Sequence, residues 1–179
     1  MANPRDESRF LSFYIKVLAA GAMSAYASER ARIGDAIGVR GPFGHFYLRP
    51  ATRPIVMVAG GTGLAPMLAM LEEMNRAASN RLPIHLLYGV NVAPEFFGGD
   101  QLDRLSRGPL ALHVERIPVS NDGWSGPTGH VTSLLRDALL YGGDVDAYLC
   151  GPPPMVEAAQ AWLAQRGVSR IHLEKFMPS

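Results

Sequence analysis

The residues best suited to chemistry, by type and spacing, are Gly60, Gly61 and Gly63, which follow the apolar run 55–59. Glycines in this position let the backbone turn tightly and approach a ligand closely. A helical pattern follows at once, and Pro66 suits its first turn, where a missing N–H costs nothing. The free N–H groups at such a helix start favour an anion such as a pyrophosphate. The spacing therefore predicts a phosphate-binding turn, with a plain strand-to-helix turn as the alternative.

This turn departs from the two common phosphate-binding motifs. It is not a Walker A loop, because no Gly-Lys-Ser/Thr sequence follows it. It also differs from the dinucleotide-binding fingerprint, since Pro66 stands where the third glycine would be. The order of strand, glycines and helix is what supports the prediction.

Composition restricts the class of protein. The chain has 179 residues, of which 47% are hydrophobic and 18% charged, as expected for one or two small globular domains. Its formal charge of +1 gives no electrostatic attraction to nucleic acid or to an anionic membrane. The first residues are polar and no apolar run reaches membrane-spanning length, so a soluble, cytoplasmic protein is expected.

Cysteine and histidine usage argues against a metal site. Cys150 is the one cysteine, which excludes a disulfide framework, a cysteine zinc site and an iron–sulfur cluster held by this chain. The histidines show no metal-ligand spacing and are predicted to be structural or exposed. They are His45, His85, His113, His130 and His172.

The elements that must position the glycine turn alternate between strands and helices after residue 50. The predicted strands are 55–59, 83–90, 110–117, 145–150 and 170–175. The predicted helices are 64–77, 100–106, 130–140 and 155–166. This alternation predicts an α/β fold with a doubly wound five-stranded parallel sheet. Ligands bind such sheets beyond the carboxyl ends of the strands, where the glycine turn and Cys150-Gly151 would meet.

The first 49 residues do not fit the α/β scheme. They suggest a strand over 10–18, a helix over 25–30 capped by Ser24, and a strand over 36–40. These elements indicate a partial antiparallel β-barrel with too few strands to close. The Pro-rich segment 50–54 is the best linker candidate, so domains over 1–49 and 50–179 are expected.

Several segments together resemble the ferredoxin–NADP reductase superfamily, in the order seen there. Within it the chain is most similar to the reductase (electron transfer) components of bacterial aromatic-ring dioxygenases, of the benzoate and anthranilate type. The segments are Gly21–Ser24, Gly41–Leu48, Gly60–Pro66, Tyr88-Gly89-Val90, Cys150–Met155 and Glu174-Lys175-Phe176.

The resemblance implies an FAD-binding β-barrel, of which residues 1–49 are the C-terminal half, and a ferredoxin reductase-like NAD-binding domain over 50–179. It implies an NADH-dependent flavoprotein oxidoreductase, in which NADH passes a hydride to FAD. Electrons then go singly to an iron–sulfur centre that serves a ring-hydroxylating dioxygenase in aromatic compound catabolism. The implied partner is a ferredoxin domain or an oxygenase component.

The resemblance also assigns residues to the two cofactors. Those implied to contact FAD are Tyr14, Ile15, Lys16, Gly21, Met23, Ser24 and Phe176. Those implied to contact NAD are Gly61, Thr62, Gly63, Pro66, Gly89, Val90, Glu95, Cys150, Gly151, Pro152 and Met155. Catalytic positions are implied for Cys150, beside the nicotinamide, and Glu174, against the isoalloxazine. Without the resemblance, Cys150 could be a buried apolar residue, Ser24 a plain helix cap and Glu174 a solvated strand end.

Two further expectations concern the specificity and the extent of the chain. No basic residue lies between Val90 and Arg104, and Glu95 would repel a 2′-phosphate, which favours NADH over NADPH. The family carries an Arg-x-Tyr-Ser segment, expected just before Met1, and a ferredoxin domain with four cysteines. The resemblance thus implies an N-terminally truncated chain, whose iron–sulfur cluster would lie on an absent domain. The alternatives are an NAD-binding module or remnant without flavin or turnover, and the reductase half of a flavohaemoglobin or phenol-hydroxylase-type system.

Overall fold

A computed structural model of the chain describes residues 1–4, 10–19, 21–41, 43–77 and 82–176. Its strands are β1 Ile55–Gly60, β2 Ile84–Val92, β3 Leu112–Ser120, β4 Asp146–Gly151 and β5 Ile171–Lys175. Its α-helices are α1 Ala22–Ala25, α2 Leu64–Ala77, α3 Gly99–Ser106 and α4 Pro153–Ala164. A π-helical turn covers Tyr26–Arg30, and short 3-10 turns cover Gly61–Gly63, Ala93–Glu95, Val131–Leu134, Asp137–Leu139 and Tyr141–Gly143.

The five strands form one sheet in the order β3-β2-β1-β4-β5, and every pairing is parallel. This confirms the predicted doubly wound α/β fold. From β1 the chain adds β2 and β3 on one side of the sheet, and it then returns to add β4 and β5 on the other side. The strand order therefore reverses beside β1, between β2 and β4. The carboxyl ends of these three strands therefore border the crevice where such folds bind ligands.

Both faces of β1 are buried, which explains its continuous apolar sequence. Ile55, Met57 and Ala59 pack on one face with side chains of α2 and α3. Val56 and Val58 pack on the other face with side chains of α4. The glycine turn is thus held between a rigid strand and α2.

The predicted helix over 130–140 was wrong. This segment forms two short 3-10 turns, because Leu135 and Arg136 between them have extended backbone angles, and a third turn follows at Tyr141–Gly143. Apolar residues at helix-like spacing remain buried here, among them Val131, Leu135 and Leu139. The apolar spacing therefore predicted correctly that these residues are buried, but short turns bury them instead of a continuous helix.

The predicted strands over 10–18 and 36–40 were also wrong. Neither stretch joins a β-ladder among the described residues, although the 10–18 stretch accepts a backbone hydrogen bond from the segment before it, from Ala2 N to Ser12 O (2.8 Å). An apolar alternation becomes a strand only where a neighbouring strand accepts its hydrogen bonds. Large apolar side chains within the first 49 residues are consequently exposed, among them Phe10, Phe13, Val17, Ile33 and Phe43.

The predicted helix over 25–30 differs in type and position. The structure has α1 followed by a π-helical turn, and Gly21 is the N-cap. Ser24 lies inside α1, so the prediction that it caps a helix was wrong. Pro42, within one of the family-like segments, lies outside the described residues.

Within the described part of the chain, no helix is long and apolar enough to cross a membrane.

A buried carboxylate at the start of β4 leads to a stability prediction. Asp146 is 5% exposed, and Arg170 Nε lies 3.5 Å from its Oδ1. Replacing Arg170 with alanine would leave this carboxylate without its cation and would also remove the pairing of Arg170 with the exposed Asp144, so the free energy of unfolding should fall by about 1–3 kcal/mol. Urea denaturation would measure the change. As a control, Arg53→Ala removes a pairing to the exposed Asp144 and should cost about 0.5 kcal/mol; equal losses in both variants would contradict the prediction.

Candidate functional site

A cavity of about 470 Å³ opens at the carboxyl ends of β1, β2 and β4. The glycine turn forms its floor, and residues from distant parts of the sequence form its walls. The lining residues are Lys16, Gly60, Gly61, Thr62, Gly89, Val90, Asn91, Glu95, Val119, His130, Val131, Thr132, Pro152, Pro154, Met155, Ala158 and Phe176. The volume and the concave shape are those of a small-molecule site.

The glycines of the turn serve two different purposes. Gly61 has a positive φ of 53°, and no heavy atom lies within 4 Å of where its Cβ would be. A Cβ on Gly63 would instead lie 2.1 Å from the backbone oxygen of Cys150, and one on Gly60 would lie 2.6 Å from Met155 Sδ. Gly60 and Gly63 thus allow close packing of β1 on β4 and α4. Gly61 keeps a left-handed turn open towards the cavity.

The residues predicted to bind NAD divide into two groups. Gly61, Thr62, Gly89, Val90, Glu95, Pro152 and Met155 line the cavity. Gly63, Pro66, Cys150 and Gly151 do not line it and lie around its floor in the same elements. The lining group includes the open Gly61 and the Thr62 hydroxyl, which are suited to a phosphate. The structure thus gathers most of this set at one site.

The two residues predicted to be catalytic, Cys150 and Glu174, lie side by side in the β4–β5 register and outside the cavity lining. Cys150 is fully buried in the core that contains α2. Burial raises the pKa of its thiol well above the ordinary value, and the nearby Glu174 carboxylate raises it further. Glu174 is exposed. The Cys150 thiol is therefore protonated at neutral pH, and both catalytic roles stay predictions.

Thiol labelling tests the state of Cys150. Because the pKa of the buried thiol is raised, we expect no reaction of the native protein with a disulfide reagent at pH 8 and rapid reaction in denaturant. An unfolded cysteine titrates near about 8.5, so the native state should also lose stability as the pH rises through that value. The Cys150→Ala variant should lack this loss. Fast labelling of the native protein would contradict the expectation.

One end of the cavity is apolar and lies beside the end of β5. It is formed by Pro152, Pro154, Met155 and Phe176. The backbone N–H of Phe176 donates to the carbonyl oxygen of Gly151 at 2.9 Å, which fixes the chain just after β5. This end can exclude water from a planar group.

The cavity lining also contains residues that the sequence did not reveal as site candidates. They include Asn91, Val119, His130, Val131 and Thr132. Asn91 and Val119 lie near the ends of β2 and β3, where strand-end position was a usable signal. His130 to Thr132 were assigned to a helix that does not form, which hid their position at the cavity. A Cβ on residue 89 would lie 2.7 Å from Val131 Cβ, so the glycine at this position allows the segment around Val131 to pack closely on β2.

Apart from Phe176, the residues predicted to bind FAD lie in two segments, 14–16 and 21–24, that contact each other. Ser24 is buried; its Oγ accepts from Leu18 N (2.9 Å) and donates to Lys16 O (3.5 Å). The N–H of Gly21 donates to Leu18 O at 3.1 Å. The hydroxyl of Ser24 is thus occupied by its own chain in this structure.

The remaining FAD-side residues are largely exposed. Ile15 is 49% exposed and Met23 is 51% exposed. Tyr14 packs against Phe97, with ring centroids 4.3 Å apart and planes tilted by 35°. This contact joins the first segment to the loop that follows β2. The exposed faces leave room for a planar ligand beside the cavity.

Lys16 and Glu95 form an ion pair within the cavity, with Nζ and Oε1 2.7 Å apart. The backbone N–H of Asn91 donates to the other oxygen of Glu95 at 3.2 Å. The hydrogen bond from Lys16, followed by that from Asn91, lowers the pKa of Glu95 despite some opposing burial. Glu95 is therefore ionised at neutral pH, and the side chain of Lys16, not only its backbone, belongs to the site.

Comparison with protein families gives two matches in chain order. Residues 1–47 match the family described as oxidoreductase FAD-binding domain. Residues 57–161 match the family described as oxidoreductase NAD-binding domain. The cavity is lined by residues from both matched regions.

Individual relatives agree with these matches. The chain is 41% identical over 175 residues to the 2-halobenzoate 1,2-dioxygenase electron transfer component of Burkholderia cepacia, covering 96% of this chain and 52% of the relative. It is 38% identical over 171 residues to the toluate 1,2-dioxygenase electron transfer component of Pseudomonas putida, covering 94% and 51%. The chain thus spans about half the length of the curated relatives it matches.

Among solved structures, the ferredoxin reductase in carbazole 1,9a-dioxygenase superposes with a TM-score of 0.79 at 29% identity. The superposition covers 99% of this chain and 54% of that one. The two family matches agree with the parallel sheet and with a cavity lined by both matched regions. The chain belongs to the oxidoreductase NAD-binding domain family and, because an FAD-binding region precedes that domain, to the ferredoxin–NADP reductase superfamily.

Proposed function

We propose that this chain is the flavin- and NAD-binding part of an NADH-dependent reductase that supplies electrons to a ring-hydroxylating dioxygenase. The observation that carries the proposal is the composition of the cavity. It joins the phosphate-type glycine turn, the residue Phe176 after the last strand, and Lys16 from the region matched to FAD-binding domains. A site for hydride transfer between two cofactors needs contributions from both regions.

The cavity fits a dinucleotide on its own geometry. The space beside Gly61 is open, and the 3-10 turn Gly61–Gly63 leads directly into α2. The N–H of Leu64 donates back to carbonyl oxygens of this turn, so the N–H groups without partners within the helical segment are those of the turn itself. We assign the pyrophosphate to this turn and to the Thr62 hydroxyl, where the helix dipole favours an anion. Gly63 and Pro66 would shape the turn from behind. This assignment places the pyrophosphate at the middle of the cavity.

The two ends of the cavity then take the two halves of NADH. We assign the nicotinamide to the apolar end, where Pro152, Met155 and Phe176 would orient it and keep water away. Cys150 and Gly151 would support that end from below. The adenosine half would lie towards Val90 and Glu95, at the carboxyl end of β2.

The first segment fits a flavin less completely. Tyr14, Ile15 and Met23 offer exposed apolar surface, and Gly21 leaves room for the Ser24 hydroxyl, since a Cβ at position 21 would lie 2.8 Å from Ser24 Oγ. Ser24 would have to exchange its present bonds for a phosphate oxygen. When bound, FAD would take a hydride from the nicotinamide and release electrons one at a time. Glu174 and Phe176 would border it from the C-terminal side, and the domains would be 1–49 and 50–179.

Partners and location follow from the same proposal. The electron transfer components named above suggest a ferredoxin domain or an oxygenase component as the acceptor of the electrons. The iron–sulfur centre would belong to that acceptor or to another part of the full protein, since this chain holds a single cysteine. The working compartment would be the cytoplasm.

The test is the absorption spectrum of the purified chain after incubation with FAD and gel filtration, then anaerobically with NADH. We expect a retained yellow flavin that bleaches when NADH is added. A colourless protein that still quenches or shifts NADH fluorescence would reduce the proposal to an NAD-binding module. A protein that binds neither compound would overturn it altogether.

A further inference from the structure

The charge of the cavity is concentrated in one ion pair. Among the described residues that line it, Lys16 is the only lysine or arginine and Glu95 is the only aspartate or glutamate. Their charged atoms are 2.7 Å apart. The cavity therefore has no net formal charge from side chains when both groups are ionised.

The electrostatic attraction between a charged side chain of the cavity and a dinucleotide grows with the negative charge of the dinucleotide. NADH has two negative charges on its pyrophosphate, and the 2′-phosphate of NADPH adds about 1.5–2 more at neutral pH. A free Lys16 would attract NADPH more strongly than NADH. Glu95 cancels that attraction, and its second oxygen is held by Asn91 N–H.

We infer that the Glu95–Lys16 pair sets the preference for NADH over NADPH by neutralising the only cationic side chain that lines the described cavity. This inference rests on the proposed dinucleotide site. It differs from repulsion by Glu95 alone, because it requires Lys16 as the group that Glu95 restrains. Removing Glu95 should therefore admit NADPH only while Lys16 remains.

The alternative role for the pair is a structural tie. The two residues are 79 positions apart, and they connect the region matched to FAD-binding domains with that matched to NAD-binding domains. The Lys16 and Glu95 side chains are 45% and 30% exposed, so the pair is partly screened by water and contributes little to stability. A tie would change folding stability without changing the ratio of the two affinities.

The test is fluorescence titration of NADH and NADPH with the wild-type chain and with Glu95→Gln, which keeps the size of the side chain. One charge removed at this range should tighten NADH binding about threefold and NADPH binding about tenfold in low salt. The shift in ratio should shrink as salt is added. In Lys16→Gln/Glu95→Gln the ratio should return to that of wild type.

The matched control is Glu157→Gln, which breaks the Lys175–Glu157 pair (2.8 Å) outside the cavity lining. It should leave both affinities unchanged. An unchanged ratio in Glu95→Gln, or an equal change in the control, would overturn the inference while wild-type NADH binding upholds the proposed site. If wild type binds neither dinucleotide, the proposed site itself fails, and the inference with it.

Discussion

Replacing Gly63 with alanine is expected to lower the free energy of unfolding by about 3 kcal/mol. The added Cβ would lie 2.1 Å from the backbone oxygen of Cys150 and 2.5 Å from its carbonyl carbon. Both are backbone atoms of a buried central strand, so no flexible side chain can move aside. The start of α2 must then separate from β4, and urea denaturation followed by circular dichroism would measure the loss.

A control glycine shows whether the loss comes from this contact. Gly38 has an ordinary φ, and nothing lies within 4 Å of where its Cβ would be. Gly38→Ala should therefore change stability by no more than about 0.5 kcal/mol. If Gly63→Ala were as stable as Gly38→Ala, the close packing of the glycine turn on β4 would be contradicted.

Replacing Gly61 with aspartate is expected to weaken NADH binding by at least about 100-fold, because like charges placed together cost several kcal/mol. The new carboxylate would stand in the open space beside the turn, where the pyrophosphate is assigned. The φ of 53° at this position is one that aspartate adopts more readily than most residues. The fold should therefore remain, and fluorescence titration of NADH would report the lost affinity.

Gly61→Asn is the matched variant for this substitution. Asparagine has the same size as aspartate and also tolerates a positive φ, but it is uncharged. We expect it to weaken NADH binding far less than aspartate, by about tenfold at most. Equal losses in the two variants would indicate that bulk, not charge, decides, and would remove the support for a pyrophosphate at Gly61.

The extent to which sequence predicted structure differed along the chain. For α2 the predicted range, 64–77, is the observed one, since the strand, the glycines and the apolar stripe all specify the same local structure. All five parallel strands were predicted to within a few residues. For β1, β2 and β4 the reason is that a doubly buried strand needs a continuous apolar run, while the edge strands β3 and β5 are less buried and contain polar residues. The strand prediction failed at 10–18, because a strand also needs a partner strand, which the local pattern does not specify.

By itself, the sequence determined the parallel sheet, the glycine turn at the end of β1 and the superfamily. These depend on local patterns and on motifs a few residues long. Only the tertiary structure decided which residues form the cavity. It buried Cys150 away from the cavity, brought His130 to Thr132 to its edge, and paired Lys16 with Glu95. Contacts between residues 79 positions apart depend on how the chain folds back on itself, and no local periodicity encodes them.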